Sequence, residues 1–162
     1  YRSPTEFAYA FQSMALLSRA RTLRACVRDH VVVVAERSVL SDRLFAKNCY
    51  QTGLMTPLEW DMYTRWYDWV TDDVTSGESD SEVCHVYLRC SPDVSFARMR
   101  ARGRVEETDV SMEYLTQLHE QHEQHFDREN TDRESETVDV SHMDVDAVVQ
   151  RVMGIITSRI TA

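Results

Sequence analysis

A carboxylate and a guanidinium stand side by side at Glu36-Arg37, directly after the run Val31-Val32-Val33-Val34-Ala35 and just before Ser41-Asp42-Arg43. A glutamate can hold the water shell of a hard divalent cation, and an arginine can grip a phosphate through paired N–H donors. The same two residues could equally form a surface ion pair of small energetic weight. Gln12 and Arg19 are a second candidate set, seven residues apart and so on one helical face, with small Ala15 between them. A long amide and a guanidinium so placed can read the edge of a planar polar ligand; a solvated helix face is the plainer alternative. The third set is Arg98, Arg102 and Arg104, followed by Glu106 and Glu107. Arg98 and Arg102 stack on one helical face, and Gly103 is placed to end that helix in a left-handed turn. Three arginines converging there would suit a polyphosphate, or would pair with the two glutamates as a solvated helix end.

The elements that must position these groups alternate between strand and helix. Four consecutive valines predict a strand buried on both faces, and in open parallel sheets ligands gather at the carboxyl ends of strands. Ser3-Pro4-Thr5-Glu6 is a capping box with proline at the first helical position, and Phe7, Phe11, Met14 and Leu17 then recur at helical spacing to about Arg28. A short helix is expected after Asp42, through Phe45 and Tyr50 to a turn at Thr52-Gly53. Thr56-Pro57-Leu58-Glu59 repeats the capping signature and opens a helix carrying Trp60, Tyr63, Trp66, Tyr67, Trp69 and Val70. Aromatic on more than one side, that helix is either deeply buried or half covered by a second subunit, which makes dimerisation through 56–72 an expectation. Residues 71–82 read as a solvated connection, Val83–Leu88 as a second buried strand, and Ser91-Pro92-Asp93 as the next helix start. Met112 to about Asp127 reads as a helix, 128–136 as a charged loop, Thr137–Val140 as a short strand, and Val145 to about Ile160 as a closing helix. Such alternation favours an α/β layered fold.

Composition bounds the classes of function. At 162 residues, with 43% hydrophobic and 28% charged residues, the chain is expected to form one domain, 1–162. No apolar run is long enough to span a bilayer, and the polar, aromatic start has no signal-peptide core. A net charge of −9 argues against a broad duplex nucleic-acid face. The four cysteines show no CxxC spacing, so reduced thiols and a reducing, cytoplasmic address are expected, with mitochondria as the alternative. His119, His122 and His125 recur every three residues without a zinc HExxH motif, and they spiral away from any common ligation point.

Taken together, these features resemble the deoxynucleoside kinase family, on its deoxycytidine/deoxyguanosine branch. The resemblance is carried by Phe11-Gln12 with Leu17-Ser18-Arg19, Glu36-Arg37-Ser38-Val39 through Ser41-Asp42-Arg43, Tyr87-Leu88 with Ser91-Pro92, Arg102-Gly103-Arg104 with Glu106-Glu107, and Glu113-Tyr114-Leu115 with Leu118-His119 and His122-Glu123. It implies a three-layer P-loop kinase-like fold, a parallel sheet flanked by helices, and ATP-dependent phosphorylation of a deoxynucleoside 5′-hydroxyl. By the same resemblance Gln12 hydrogen-bonds the base, Phe45 stacks on it, and Arg19 and Asp42 form the charged pair that reads its substituents. Tyr1 and Glu107 hold the sugar 3′-hydroxyl, Glu36 supports Mg²⁺, Arg37 contacts the 5′ position, and Arg98, Arg102 and Arg104 form a lid over the ATP phosphates. Ala15, Arg19 and Asp42 together resemble members preferring deoxycytidine or purine deoxynucleosides to thymidine.

Two departures shape the expectation. The segment after Arg43 is one residue shorter than the family's usual, and the family's first strand and Gly-rich phosphate loop have no counterpart in this chain. The sole lysine, Lys47, follows Ala46 and lies in a predicted helix. Without the central strand, backbone groups of its neighbours would be left unpaired at about 1–3 kcal/mol each. The chain is therefore expected to be the C-terminal portion of a longer protein and inactive alone. The alternative is a non-catalytic relative with a structural or binding role in a larger assembly.

Overall fold

The computed structural model describes residues 4–29, 32–75, 83–128 and 135–161. The chain divides into two compact units, Tyr1–Asp80 and Ser81–Ala162.

The first unit is built from three helices, α1 (Pro4–Asp29), α2 (Val39–Gln51) and α3 (Pro57–Thr75). Its core joins Ala8, Leu16 and Ala20 of α1 to Val39, Ala46 and Cys49 of α2 and to Tyr63, Tyr67 and Val70 of α3. The small alanines let the helix backbones approach, while Leu16 and Tyr63 are wholly buried. The buried stripe of α1 thus runs Ala8, Gln12, Leu16, Ala20, four residues at a step. Phe7, Phe11, Met14 and Leu17, whose spacing announced the helix, lie on its exposed side.

In this unit three boundaries differ from the sequence expectation, each for a physical reason. Val32–Ala35 form no strand, and Val34 is 70% exposed. β-branched residues favour the pleat only when a neighbour completes the ladder, and among the described residues no strand pairs with this run; Val31 lies outside them. Helix α2 begins before Asp42, because Ser38 caps it: the Ser41 amide donates to Ser38 Oγ at 3.0 Å and the Ser38 amide to Ser41 Oγ at 3.2 Å. This Ser–Ser box does the work usually given to Ser and Glu, and it places Asp42 in the helix's first turn. Helix α3 opens as expected, with Glu59 accepting from the Thr56 amide at 2.7 Å, but it runs on to Thr75 rather than yielding at 71.

The second unit contains parallel strands β1 (His85–Arg89) and β2 (Ser135–Asp139), in register from His85 opposite Ser135 to Arg89 opposite Asp139. Each begins two residues from its expected start, β1 later and β2 earlier. Between them come α4 (Pro92–Arg102), a 3₁₀ turn (Val105–Glu107) and α5 (Met112–Arg128); α6 (Val145–Thr161) follows β2. A parallel pair needs such a crossover, since no tight turn can reverse the chain twice. Val138, Val140 and Ile155 form its buried centre, with Val86, Cys90 and Val148 packed around them. Tyr87 stacks on Phe126 at 4.6 Å between ring centres and donates its hydroxyl to Glu123 at 3.0 Å, tying α5 to the strand. His122 bonds the Leu118 carbonyl through Nδ1 and stacks on Tyr87, and no metal-holding cluster of three His, Cys, Asp or Glu occurs among the described residues.

Candidate functional site

In the first unit the chemistry converges on Asp42. Its side chain is 1% exposed and meets two guanidinium groups: Arg19 Nε at 2.8 Å from Oδ2, and Arg37 Nη2 at 3.2 Å from Oδ1. A carboxylate this deep is tolerable only with such partners, because removing one leaves an underpaired charge in a poorly hydrated place. The first turn of α2 adds the positive end of the helix dipole. Arg19 also donates through Nη1 to the Glu36 carbonyl at 3.0 Å, so one side chain of α1 holds both the carboxylate and the loop before α2.

That loop is strained. Arg37 has φ +63°, the left-handed region that a non-glycine residue enters at a cost on the order of 1 kcal/mol or more. The capping box on one side and the Arg19–Glu36 bond on the other hold it there. Its guanidinium lies 3.6 Å from the centre of the Phe45 ring, over the ring's negative face. Glu36 itself is exposed.

Gln12, 9% exposed, donates from Nε2 to Cys49 Sγ at 3.7 Å. Burial pushes the Cys49 thiol's pKa up, opposed by the Gln12 hydrogen bond, so the neutral thiol is the acceptor. One amide hydrogen of Gln12 is thereby used; the carbonyl oxygen and the other hydrogen remain for a ligand edge. Gln12 and Arg19 are thus turned inward onto α2 rather than out into solvent. Beneath them Tyr63 is fully buried, and its hydroxyl has no partner among the described residues. Burial first, then the nearby Asp42 charge, push its pKa well above the ordinary phenol value.

In the second unit Gly103 ends α4 at φ +68°, as its position predicts. Arg102 Nη2 lies 2.7 and 2.9 Å from the two oxygens of Glu107, and Arg104 Nη1 lies 3.7 Å from Oε1. Arg98 keeps different company. Its Nη2 donates to the carbonyls of Val140 and Met143 at 2.9 and 3.1 Å, bracing the connection from β2 to α6, and Nη1 reaches Cys90 Sγ at 3.6 Å. Sequence reasoning passed over Arg100, which donates to the carbonyls of Thr108 and Val110 at 2.9 and 3.4 Å and lies over Phe96. Arginine at every second position from 98 to 102 was the available signal, since on a helix that spacing sends alternate side chains to different sides. Cys49 gave no signal of its own. Tyr1 lies outside the described residues.

The fold is shared with solved enzymes. Over 98% of this chain and 77% of the other, it superposes on deoxyadenosine kinase from M. mycoides with bound dCTP, at a TM-score of 0.80 and 23% identity. The same enzyme with bound dATP matches at a TM-score of 0.79. That likeness shows the α/β, P-loop kinase-like fold. The sequence carries the kinship further: the family model for deoxynucleoside kinase matches residues 1–160. The chain belongs to the deoxynucleoside kinase family. It is 39% identical over 130 residues to deoxycytidine kinase of Rattus norvegicus, covering 76% of this chain and 49% of that protein. Mitochondrial deoxyguanosine kinase of Xenopus laevis is 30% identical over 139 residues, covering 82% and 52%. The chain spans about half the length of the curated relatives it matches. Among the described residues no helix is long and apolar enough to cross a membrane.

Proposed function

We propose that the protein transfers the γ-phosphate of ATP to the 5′-hydroxyl of a deoxynucleoside, preferring deoxycytidine or purine deoxynucleosides to thymidine. The observation that carries this reading is the buried Asp42 held by Arg19 at 2.8 Å, with the amide of Gln12 buried on the same helix as Arg19. A site that offers a buried carboxylate to an exocyclic amino group disfavours a base that presents a keto oxygen there, because two acceptors then face each other. Thymine offers a keto oxygen and a methyl group where the charged pair wants a donor.

In the transfer, the 5′-oxygen forms a bond to the γ-phosphorus, the bond to the β–γ bridging oxygen breaks, ADP leaves, and the hydroxyl proton passes to solvent or a base. The protein's share is mainly positioning and charge neutralisation. Gln12, Arg19 and Asp42 fix the base, and Phe45 offers its ring to the base's face. Arg37 neutralises charge at the 5′ position, and Arg102 and Arg104 neutralise the donor's phosphates, with Arg98 and Arg100 bracing the segments around them. Glu107 and Tyr1 are assigned to the 3′-hydroxyl. Mg²⁺ typically takes one or two carboxylates plus substrate phosphates, so exposed Glu36 suits it without a preformed cluster. When bound, the ion would offset the charge of the phosphates.

A second copy is the proposed partner. Leu58, Met62, Trp66 and Trp69 are exposed in succession on α3, an apolar stripe of the kind that obligate interfaces cover. Four cysteines without CxxC spacing support a reducing compartment, proposed as the cytoplasm. The test is phosphate transfer from labelled ATP by the protein at its natural length, across deoxycytidine, deoxyadenosine, deoxyguanosine and thymidine. Labelled 5′-monophosphates from the first three, with thymidine poorest, are expected. Binding of deoxycytidine without ATP consumption would overturn the kinase reading.

A further inference from the structure

Two of the groups assigned to the base are already engaged by another part of the chain. The Arg37 guanidinium covers one face of Phe45 at 3.6 Å and holds Asp42 Oδ1 at 3.2 Å. A base cannot stack on that face while Arg37 stays, and one acceptor site of Oδ1 is already taken. We propose that Arg37 is a built-in competitor for the base position: the deoxynucleoside must displace it, and displacement delivers the guanidinium to the 5′ position where transfer needs it. This rests on the proposed kinase reading and deepens it.

The geometry favours a movable plug. Asp42 keeps Arg19 at 2.8 Å when Arg37 departs, so the buried carboxylate is never left without a partner. Of the two guanidinium partners of Asp42, Arg37 is the more weakly held, 36% exposed and at 3.2 Å, against 26% and 2.8 Å for Arg19. An incoming base restores an equivalent stack and hydrogen bond. The strained backbone at φ +63° biases the residue against settling into a relaxed, permanently closed loop. The apparent affinity for nucleoside is then the intrinsic affinity reduced by the fraction of molecules in which Arg37 has swung away. Charge neutralisation at the 5′ position becomes available only after a base has arrived.

The experiment is calorimetric titration of the protein at its natural length with deoxycytidine and with 2′,5′-dideoxycytidine, without ATP. The second probe has no 5′-hydroxyl, so loss of Arg37's contact there cannot mask release of the plug. In Arg37→Ala the 2′,5′-dideoxycytidine affinity should tighten about fivefold, equivalent to roughly 1 kcal/mol. Arg37→Gly, which suits the left-handed backbone, should do the same and serves if the alanine variant fails to fold. Unchanged or weaker binding of that probe in a folded variant overturns the competitor role and leaves the kinase reading standing. If the wild-type protein binds neither probe, the kinase reading itself falls, and the inference with it.

Discussion

Glu107 receives Arg102 at both of its carboxylate oxygens, 2.7 and 2.9 Å from a single guanidinium nitrogen. The acid assigned to the sugar and an arginine assigned to the phosphates therefore satisfy each other within the second unit. The pair is only half desolvated, Arg102 being 52% exposed and Glu107 18%, so an anion with more charge than one carboxylate can draw the arginine away. ATP is such an anion.

Arg102→Ala should consequently raise the KM for ATP more than the KM for deoxynucleoside. A charge-assisted bond to phosphate contributes about 1.5–3 kcal/mol, so kcat/KM for ATP should fall roughly tenfold to a hundredfold. Steady-state kinetics with each substrate varied in turn checks it, and equal effects on both constants would remove Arg102 from the phosphates.

Specificity should follow the Asp42 pair. Arg19→Met combined with Asp42→Ala removes a buried charge together with its main partner, which is gentler on folding than removing either alone. Thymidine phosphorylation should rise relative to deoxycytidine by at least about tenfold, the weight of one hydrogen-bond mismatch near 1.4 kcal/mol. A ratio unchanged from wild type would show that the pair does not read the base. Arg19→Met alone should instead lower stability by about 1–3 kcal/mol, since Asp42 would keep only the more distant Arg37.

How legible this was depended on how local the determining physics is. Thr56-Pro57 and Gly103 announced their helix ends because capping is decided within four residues. Gln12 and Arg19 were placed on one face correctly from spacing alone, yet which face is buried depends on α2 and α3. There the large residues of α1 misled: Ala8 and Ala20 are inside because neighbouring helices press close, and Phe11 is 65% exposed. The valine run misled in the other direction, since strand propensity has no effect without a pairing neighbour. Arg98 and Arg102 share a face by periodicity, but the length of an arginine side chain lets one reach the carbonyls after β2 while the other reaches Glu107. Ring contacts such as Arg37 on Phe45 join residues eight apart across a cap, where no periodicity applies.

The exposed stripe on α3 predicts an oligomer. Trp66 and Trp69 meet edge to face at 6.0 Å and are 48% and 60% exposed, a large apolar area for a free surface. Trp69→Glu should convert a dimer to monomer in light scattering coupled to gel filtration, while Glu6→Ala, an exposed polar change on α1, should not. A monomeric wild type would remove the second copy from this face.

Stability of the second unit should depend on Glu123. Desolvation pushes its carboxyl up, but hydrogen bonds from Arg89 and Tyr87 outweigh it and hold the pKa below the ordinary glutamate value. Arg89 Nη2 stands 2.6 Å away, and the Tyr87 hydroxyl 3.0 Å. A pKa lowered in the folded state contributes stability that is complete above the unfolded value, near about 4.3, and that is lost as pH falls through the folded value. Wild type should therefore be more stable than Glu123→Gln at pH 7, and the gap should close as the pH is lowered below about 4.3. Denaturant titrations of both proteins across that range give the comparison. A gap that stayed constant with pH would mean that Glu123 acts through packing, with its charge contributing nothing to the tie between β1 and α5.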